Sequence, residues 1–416
     1  MNCLFLRRLL GSLLVIAFAT FPAFTQTQRL QRLVVVGDSL SAGFQSASLN
    51  EEGQTNGYAN LIARQANTPL VQPLIAEPGI PNKLKLIDPG PPPIIFFEGG
   101  ISYGRINPFA IATNLAVPGA NVNDVLNDRP NFPIDSLTDF CLGFPWLFYG
   151  QPQTQVELAQ RLKPQTLIIW IGNNNVLTAA LQGDAARITP LPEFRAQYAE
   201  MMNRLATTRA KLIVANIPDV TSTAYLFSAN EVAATIGLPL SIIGPILGIR
   251  DGDYVTPLAI PQIAGILADP SSGPLAPNVI VDRNEVATIR AAVNNFNAVI
   301  AAQAAAKGAT LVDIRTLVDN ANRNGVRVGG RVLNTRFLGG LFSLDGVHPT
   351  NTGYAIIANE FIRSINARYN SGIPFVDVAA VASRDPLIVN RGQNTALMAP
   401  SKEALNNLQT VFKVQP

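Results

Sequence analysis

The chain has 416 residues, of which 48% are hydrophobic and only 14% charged, against a usual charged share of about 25%. That balance excludes a disordered chain, which lacks the apolar surface to offset its ordering entropy. The formal net charge is +3, with no basic stripe or patch, so no nucleic-acid partner is expected.

Residues 1–25 read as a secretory signal. Arg7 and Arg8 supply a positive start, residues 9–18 an apolar stretch, and both Ala17-Phe18-Ala19 and Ala23-Phe24-Thr25 fit as cleavage sites. The apolar stretch is shorter than the ~20 residues that span a bilayer, so cleavage is expected to leave no transmembrane segment. The expected location is periplasmic or extracellular. Cys3 leaves with the signal and Cys141 remains alone, so no internal disulfide forms and the core must hold the fold.

Five runs, at 33–36, 109–117, 166–171, 210–217 and 309–314, are apolar without alternation, the pattern of strands buried on both faces. Phe194, Tyr198, Met201 and Leu205 recur at helical spacing, as do Val286, Ile289, Val293, Phe296 and Ile300. The second of these helices opens with Asp282 and Glu285, a capping-box pair, and ends at Lys307-Gly308. A last helix is predicted over about 352–369. Strands alternating with helices imply a parallel sheet covered on both sides. One domain over 26–370 is expected, with the tail at 371–416 of open role.

Three long stretches interrupt this rhythm. Residues 45–108 contain Asp88-Pro-Gly-Pro-Pro-Pro93, a stiff non-helical connection. Residues 127–160 carry Phe132, Phe140, Phe144, Trp146, Phe148 and Tyr149, a set that suits core packing or a substrate pocket. Residues 220–280 include an apolar run at 236–249 broken by Pro239 and Pro245. Loops this long are functional or disordered, and their apolar content argues against disorder.

The only histidine is His348, in Ser-Leu-Asp345-Gly-Val-His348-Pro-Thr. Ser39 directly follows the first strand. A serine hydroxyl is a weak nucleophile until a base takes its proton, and the base needs a third group to fix its tautomer. Asp345 stands three residues before the histidine. Gly119 follows the second predicted strand and Asn174 the third. In an open parallel sheet ligands bind beyond the carboxyl ends of the strands, so these distant residues should converge. Other roles remain open: Ser39 as a helix N-cap, Gly119 after Pro118 as a turn glycine, Asp345 as a turn residue. Position 41 is serine, so Gly-x-Ser-x-Gly is not formed. One histidine and one remaining cysteine do not make a zinc site.

Gly37-Asp38-Ser39-Leu40, Gly119, Gly172-Asn173-Asn174-Asn175 and Asp345-Gly-Val-His348 together resemble the four blocks of the GDSL, or SGNH, hydrolase family. One departure is Asn175, where the family commonly has Asp. The resemblance implies a flavodoxin-like three-layer α/β/α sandwich; the five apolar runs give it a five-stranded parallel sheet, and the three long loop insertions stand outside what the resemblance explains. It also implies cofactor-independent ester hydrolysis on a small-molecule ester or lipid. Ser39 would be the nucleophile, His348 the base and Asp345 its orienting partner. The backbone N–H groups of Ser39 and Gly119 and the amide of Asn174 would form the oxyanion hole. A carbohydrate O-deacetylase would use the same set, and a surface binding protein could keep the fold without turnover.

Overall fold

A computed structural model describes residues 30–88, 94–143 and 150–388. The signal expected at residues 1–25, the proline run at 89–93, the aromatic residues Phe144, Trp146, Phe148 and Tyr149, and the tail beyond 388 lie outside the described residues.

Four of the five apolar runs form strands: β1 (Leu33–Gly37), β2 (Thr166–Trp170), β3 (Lys211–Ala215) and β4 (Thr310–Val312). They pair in parallel in that order, with Leu33 opposite Thr166, Thr166 opposite Lys211 and Ile213 opposite Thr310. Seven helices matter for the site and its support. They are α1 (Ser39–Ala42), α2 (Tyr58–Gln65), α3 (Asn174–Gln182), α4 (Leu191–Ala206), α5 (Arg283–Ala306), α6 (Ile314–Asn324) and α7 (Asn351–Tyr369).

The strands are continuous in apolarity because side chains on both faces are buried. Val34, Val36, Leu167, Ile169 and Val214 pack with Phe194 and Tyr198 of α4 and Phe296 of α5. Leu33, Val35, Ile168, Trp170 and Ile213 pack on the other side with Tyr58 and Ile62 of α2 and Tyr354 and Phe361 of α7. Ring stacking marks both layers: Phe194 lies 4.0 Å from Phe296 and Tyr58 4.7 Å from Phe361, centre to centre. The result is three layers, as expected.

The fifth strand is a correction. Residues 109–117 do not form one; Asn114 alone makes a parallel bridge to Val35. Val35 N–H donates to Thr113 and Leu115 N–H to Val35, each at 2.9 Å, and Val117 N–H donates to Gly37 at 3.1 Å. The second half of the run therefore lies along β1 as an extended edge. The first half turns outward, and Phe109 is 69% exposed. Counting this edge, the order is the 2-1-3-4-5 of a flavodoxin-like sheet, whose switch point falls between β1 and β2.

The insertions have structure of their own. Within 45–108, Leu84–Asp88 and Ile94–Phe97 pair antiparallel. Within 127–160, short helices form at Leu137–Leu142 and Gln155–Leu162. Within 220–280, helices Ala229–Ile236, Leu240–Leu247 and Ala259–Ala268 enclose a small core of Val232, Ile243, Leu247, Val255 and Ile263. The apolar run at 236–249 breaks where Gly237, at φ 78°, ends one helix and Pro239 caps the next, giving a bend of 108°. Among the described residues no single helix is long and apolar enough to cross a membrane. The chain after α7 returns to the domain, with Ile373, Val376 and Leu387 buried.

Candidate functional site

Ser39 sits where β1 ends and α1 begins. The helix N-cap is Asp38, whose Oδ1 accepts from Leu40 N–H at 3.1 Å, so Ser39 is the first helical residue and not the cap. Asp38 is fully buried, and its other oxygen accepts from Asn173 Nδ2 at 2.7 Å. Burial pushes its carboxyl up to about 6, against the pull of the Asn173 amide, the Leu40 N–H and the nearby His348.

His348 lies on the loop before α7. Its Nδ1 is 3.0 Å from Asp345 Oδ2. Asp345 is held by three backbone N–H groups, each at 2.8 Å: Val347 and His348 on Oδ1, and Ala47 on Oδ2. Burial works to raise this carboxyl, but His348 and the N–H donors outweigh it and hold it below the usual carboxylate range. An ionised Asp345 accepts from Nδ1–H and leaves Nε2 as the acceptor nitrogen. Gly346 allows the loop to close. At φ 72° it takes a left-handed conformation, and a Cβ there would meet Tyr225 N at 2.8 Å. Phe44, just after α1, packs its ring 4.7 Å from the imidazole.

The three consecutive asparagines after β2 hold three different pieces of chain. Asn173 holds Asp38. Asn174 Nδ2 donates to Ala120 carbonyl at 2.8 Å. Asn175 Oδ1 accepts from Val122 N–H at 3.1 Å and its Nδ2 donates to Thr189 Oγ1 at 3.0 Å. An Asp at 175 could accept the first bond but could not donate the second. Gly119 is the third residue of a Val117–Ala120 turn closed by Ala120 N–H on Val117 carbonyl at 3.2 Å. Proline at the second place and φ 81° at the third fit a type II turn, where glycine is needed.

Ser39, Asn173, Asn174 and His348 line one groove, with Asp345 behind the imidazole. Ser39 is 3% exposed and His348 fully buried. Gly119 is not in that lining; it faces a small neighbouring cavity and connects through the Asn174–Ala120 bond. A larger cavity of about 870 Å³ opens between α3, α5 and the 220–280 insertion. It is lined by charged groups such as Arg187, Arg250, Asp282 and Arg283, contains neither Ser39 nor His348, and shares only Val347 with the groove.

Sequence reasoning did not find Ala47 or Phe44, and it named Asn173 only as a neighbour in the asparagine run, with the spacing selecting Asn174. Ala47 contributes through a backbone N–H, which no side chain advertises. The one signal for Asn173 is its place in the asparagine run. Among the described residues no group of His, Cys, Asp and Glu could hold a metal ion. The arrangement can pass a proton from a serine hydroxyl to a neutral imidazole whose cation a buried carboxylate would stabilise.

A comparison with known families matches residues 33–361 to the GDSL-like lipase/acylhydrolase family. Among solved structures, the chain is similar to an acetyl xylan esterase from Geobacillus stearothermophilus, at 16% identity and a TM-score of 0.37, covering 83% of this chain and 96% of that one. It is also similar to a psychrotrophic esterase from a Pseudoalteromonas species, at 12% identity and a TM-score of 0.34, covering 81% and 98%. A lipase/acylhydrolase from Enterococcus faecalis gives 12%, a TM-score of 0.35, and coverage of 81% and 96%. No curated protein matches the sequence.

Proposed function

The chain belongs to the GDSL-like lipase/acylhydrolase family and is an ester-hydrolysing enzyme, and from that premise we propose that it is an exported serine esterase acting through an acyl-enzyme on Ser39. The observation that carries the reading is the Asp345–His348 pair, 3.0 Å apart and buried, on the same groove as Ser39. The positive start and apolar stretch within residues 1–25 support the export part of this reading.

The chemistry runs in two halves. Ser39 Oγ attacks the acyl carbonyl carbon as its proton passes to His348 Nε2; the tetrahedral intermediate collapses and the same proton leaves with the alcohol. Water then attacks the acyl-serine, again deprotonated by His348, and Ser39 is released with the free acid. Asp345 stays ionised throughout and stabilises the imidazolium. The oxyanion meets the N–H groups of Ser39 and Gly119 and the Asn174 amide, each donor contributing roughly 10²–10³ in rate. The Asn174–Ala120 bond supports this, because it ties the side-chain donor to the turn that carries the Gly119 N–H. The amide's second hydrogen is the one available to the substrate.

Replacing Ser39 by alanine tests the reading on a p-nitrophenyl ester. Hydrolysis should fall by at least about 10³-fold, and a fluorophosphonate should label the wild type alone. A variant that hydrolyses like wild type removes Ser39 from the mechanism.

A further inference from the structure

The groove beside Ser39 and His348 is walled by aliphatic side chains. Ile314, Leu317, Val318 and Ala321 recur at i, i+3, i+4 and i+7 on α6 and all line it, so one face of that helix forms a wall. Ile356 and Ile357 of α7 line it as well. Its only acidic lining residue, Asp219, is engaged elsewhere: one oxygen accepts from Thr221 N–H and Oγ1, the other from Arg290 Nε at 3.0 Å. The groove thus offers an alkyl group contact and no competing charge. The 870 Å³ cavity beyond Val347 is its opposite in character, wide and lined with charged groups.

We propose that the apolar groove binds the acyl chain of the ester, and that α6 sets the preferred length at about four carbons beyond the carbonyl. The inference rests on Ser39 as nucleophile and names the substrate class of that site: esters of short aliphatic acids longer than acetate. The length follows from volume. The groove holds about 100 Å³, and an apolar cavity of about 150 Å³ accommodates the six carbons of benzene. Four carbons fill the groove; further ones project past it. Each methylene taken from water into such a wall improves kcat/KM by about fourfold, so pentanoate should exceed acetate by roughly 60-fold. Beyond pentanoate the gain should stop.

The test is kcat/KM along p-nitrophenyl acetate, butyrate, pentanoate, hexanoate and octanoate, for wild type and two variants. Val318→Phe fills the groove and should lower the pentanoate-to-acetate ratio at least tenfold. Leu317→Ala widens it and should move the optimum to longer acids, so the two changes act in opposite directions and the second serves if the first fails to fold. A flat series, or variants with the wild-type profile, overturns the assignment. A second series of acetate esters with lengthening alcohols separates the two halves of the substrate. If chain length and the α6 variants matter there and not in the acyl series, the groove takes the alcohol and the proposal is wrong. Wild-type protein that neither hydrolyses any ester nor reacts with a fluorophosphonate removes the serine reading itself, and the acyl assignment falls with it. Turnover with a flat acyl series removes the assignment alone.

Discussion

Asp38 and Asp345 are both fully buried, yet their carboxyls move in opposite directions. Asp345 has three backbone donors and an imidazole, and is held low. Asp38 has one backbone N–H and one amide, too little to offset burial, and is raised to about 6. A carboxyl whose folded value lies above its unfolded one contributes stability fully below the unfolded value, near 3.8, and loses it as pH rises through about 6. Near pH 8 the ionised group therefore costs about 3 kcal/mol. Asp38→Asn removes that titration. Its Oδ1 can still cap Leu40, and its new amide can meet Asn173 Oδ1, which is buried without a partner. The variant should gain about 2–3 kcal/mol on wild type between pH 4 and pH 8 in urea unfolding. Curves that stay parallel across that range would show that Asp38 is not strained by its charge. At this scale the sequence was legible where side chains line the groove, as at Ser39, Asn174 and His348, and silent where a backbone atom makes the contact, as at Ala47.

The loop bearing His348 is followed at once by α7, and the helix start is held from two sides. Thr350 Oγ1 accepts from Gly353 N–H at 3.0 Å, and Asp385, from the chain beyond α7, accepts from Thr352 N–H at 2.8 Å and its hydroxyl at 2.7 Å. The segment after 370, whose role was open in the sequence, thus carries an anchor for the helix next to the imidazole. Asp385→Ala should cost about 1–2 kcal/mol, the usual effect of losing a cap, read as a lower urea midpoint; an unchanged midpoint would mean Thr350 suffices. Other elements were legible because their pattern is local. Asp282 and Glu285 form the expected capping box on α5. The run at 109–117 misled because apolarity alone does not make a strand. Asn114, near its middle, spends its amide on the Ser41 carbonyl and on Gln72, both at 2.8 Å. The insertion at 220–280 was read as irregular because Gly237, Pro239 and Pro245 break its period, yet Gly237 and Pro239 separate two short helices and Pro245 lies inside the second, with a third helix following at Ala259–Ala268.

At the scale of the whole molecule, Cys141 reports on the integrity of the core. It is fully buried, and burial pushes its thiol up to about 12 despite the nearby Arg105 cation. In a chain begun after residue 25, Ellman's reagent at pH 8 should find no thiol in the folded state and one after denaturation. Rapid labelling of native protein would show that this part of the core opens readily. The sheet and its two packed faces were legible because buried parallel strands read as unbroken apolar runs. The pairing of the two ends of the chain was not, because it rests on contacts such as Ala47 N–H on Asp345, across 298 residues. That separation has a temporal meaning. On the ribosome the proposed nucleophile emerges long before its base, and the two cannot meet until nearly the entire chain has been made and folded. A nascent chain therefore carries the proposed nucleophile without its proposed base, and on that proposal it would stay inactive toward esters until folding is complete.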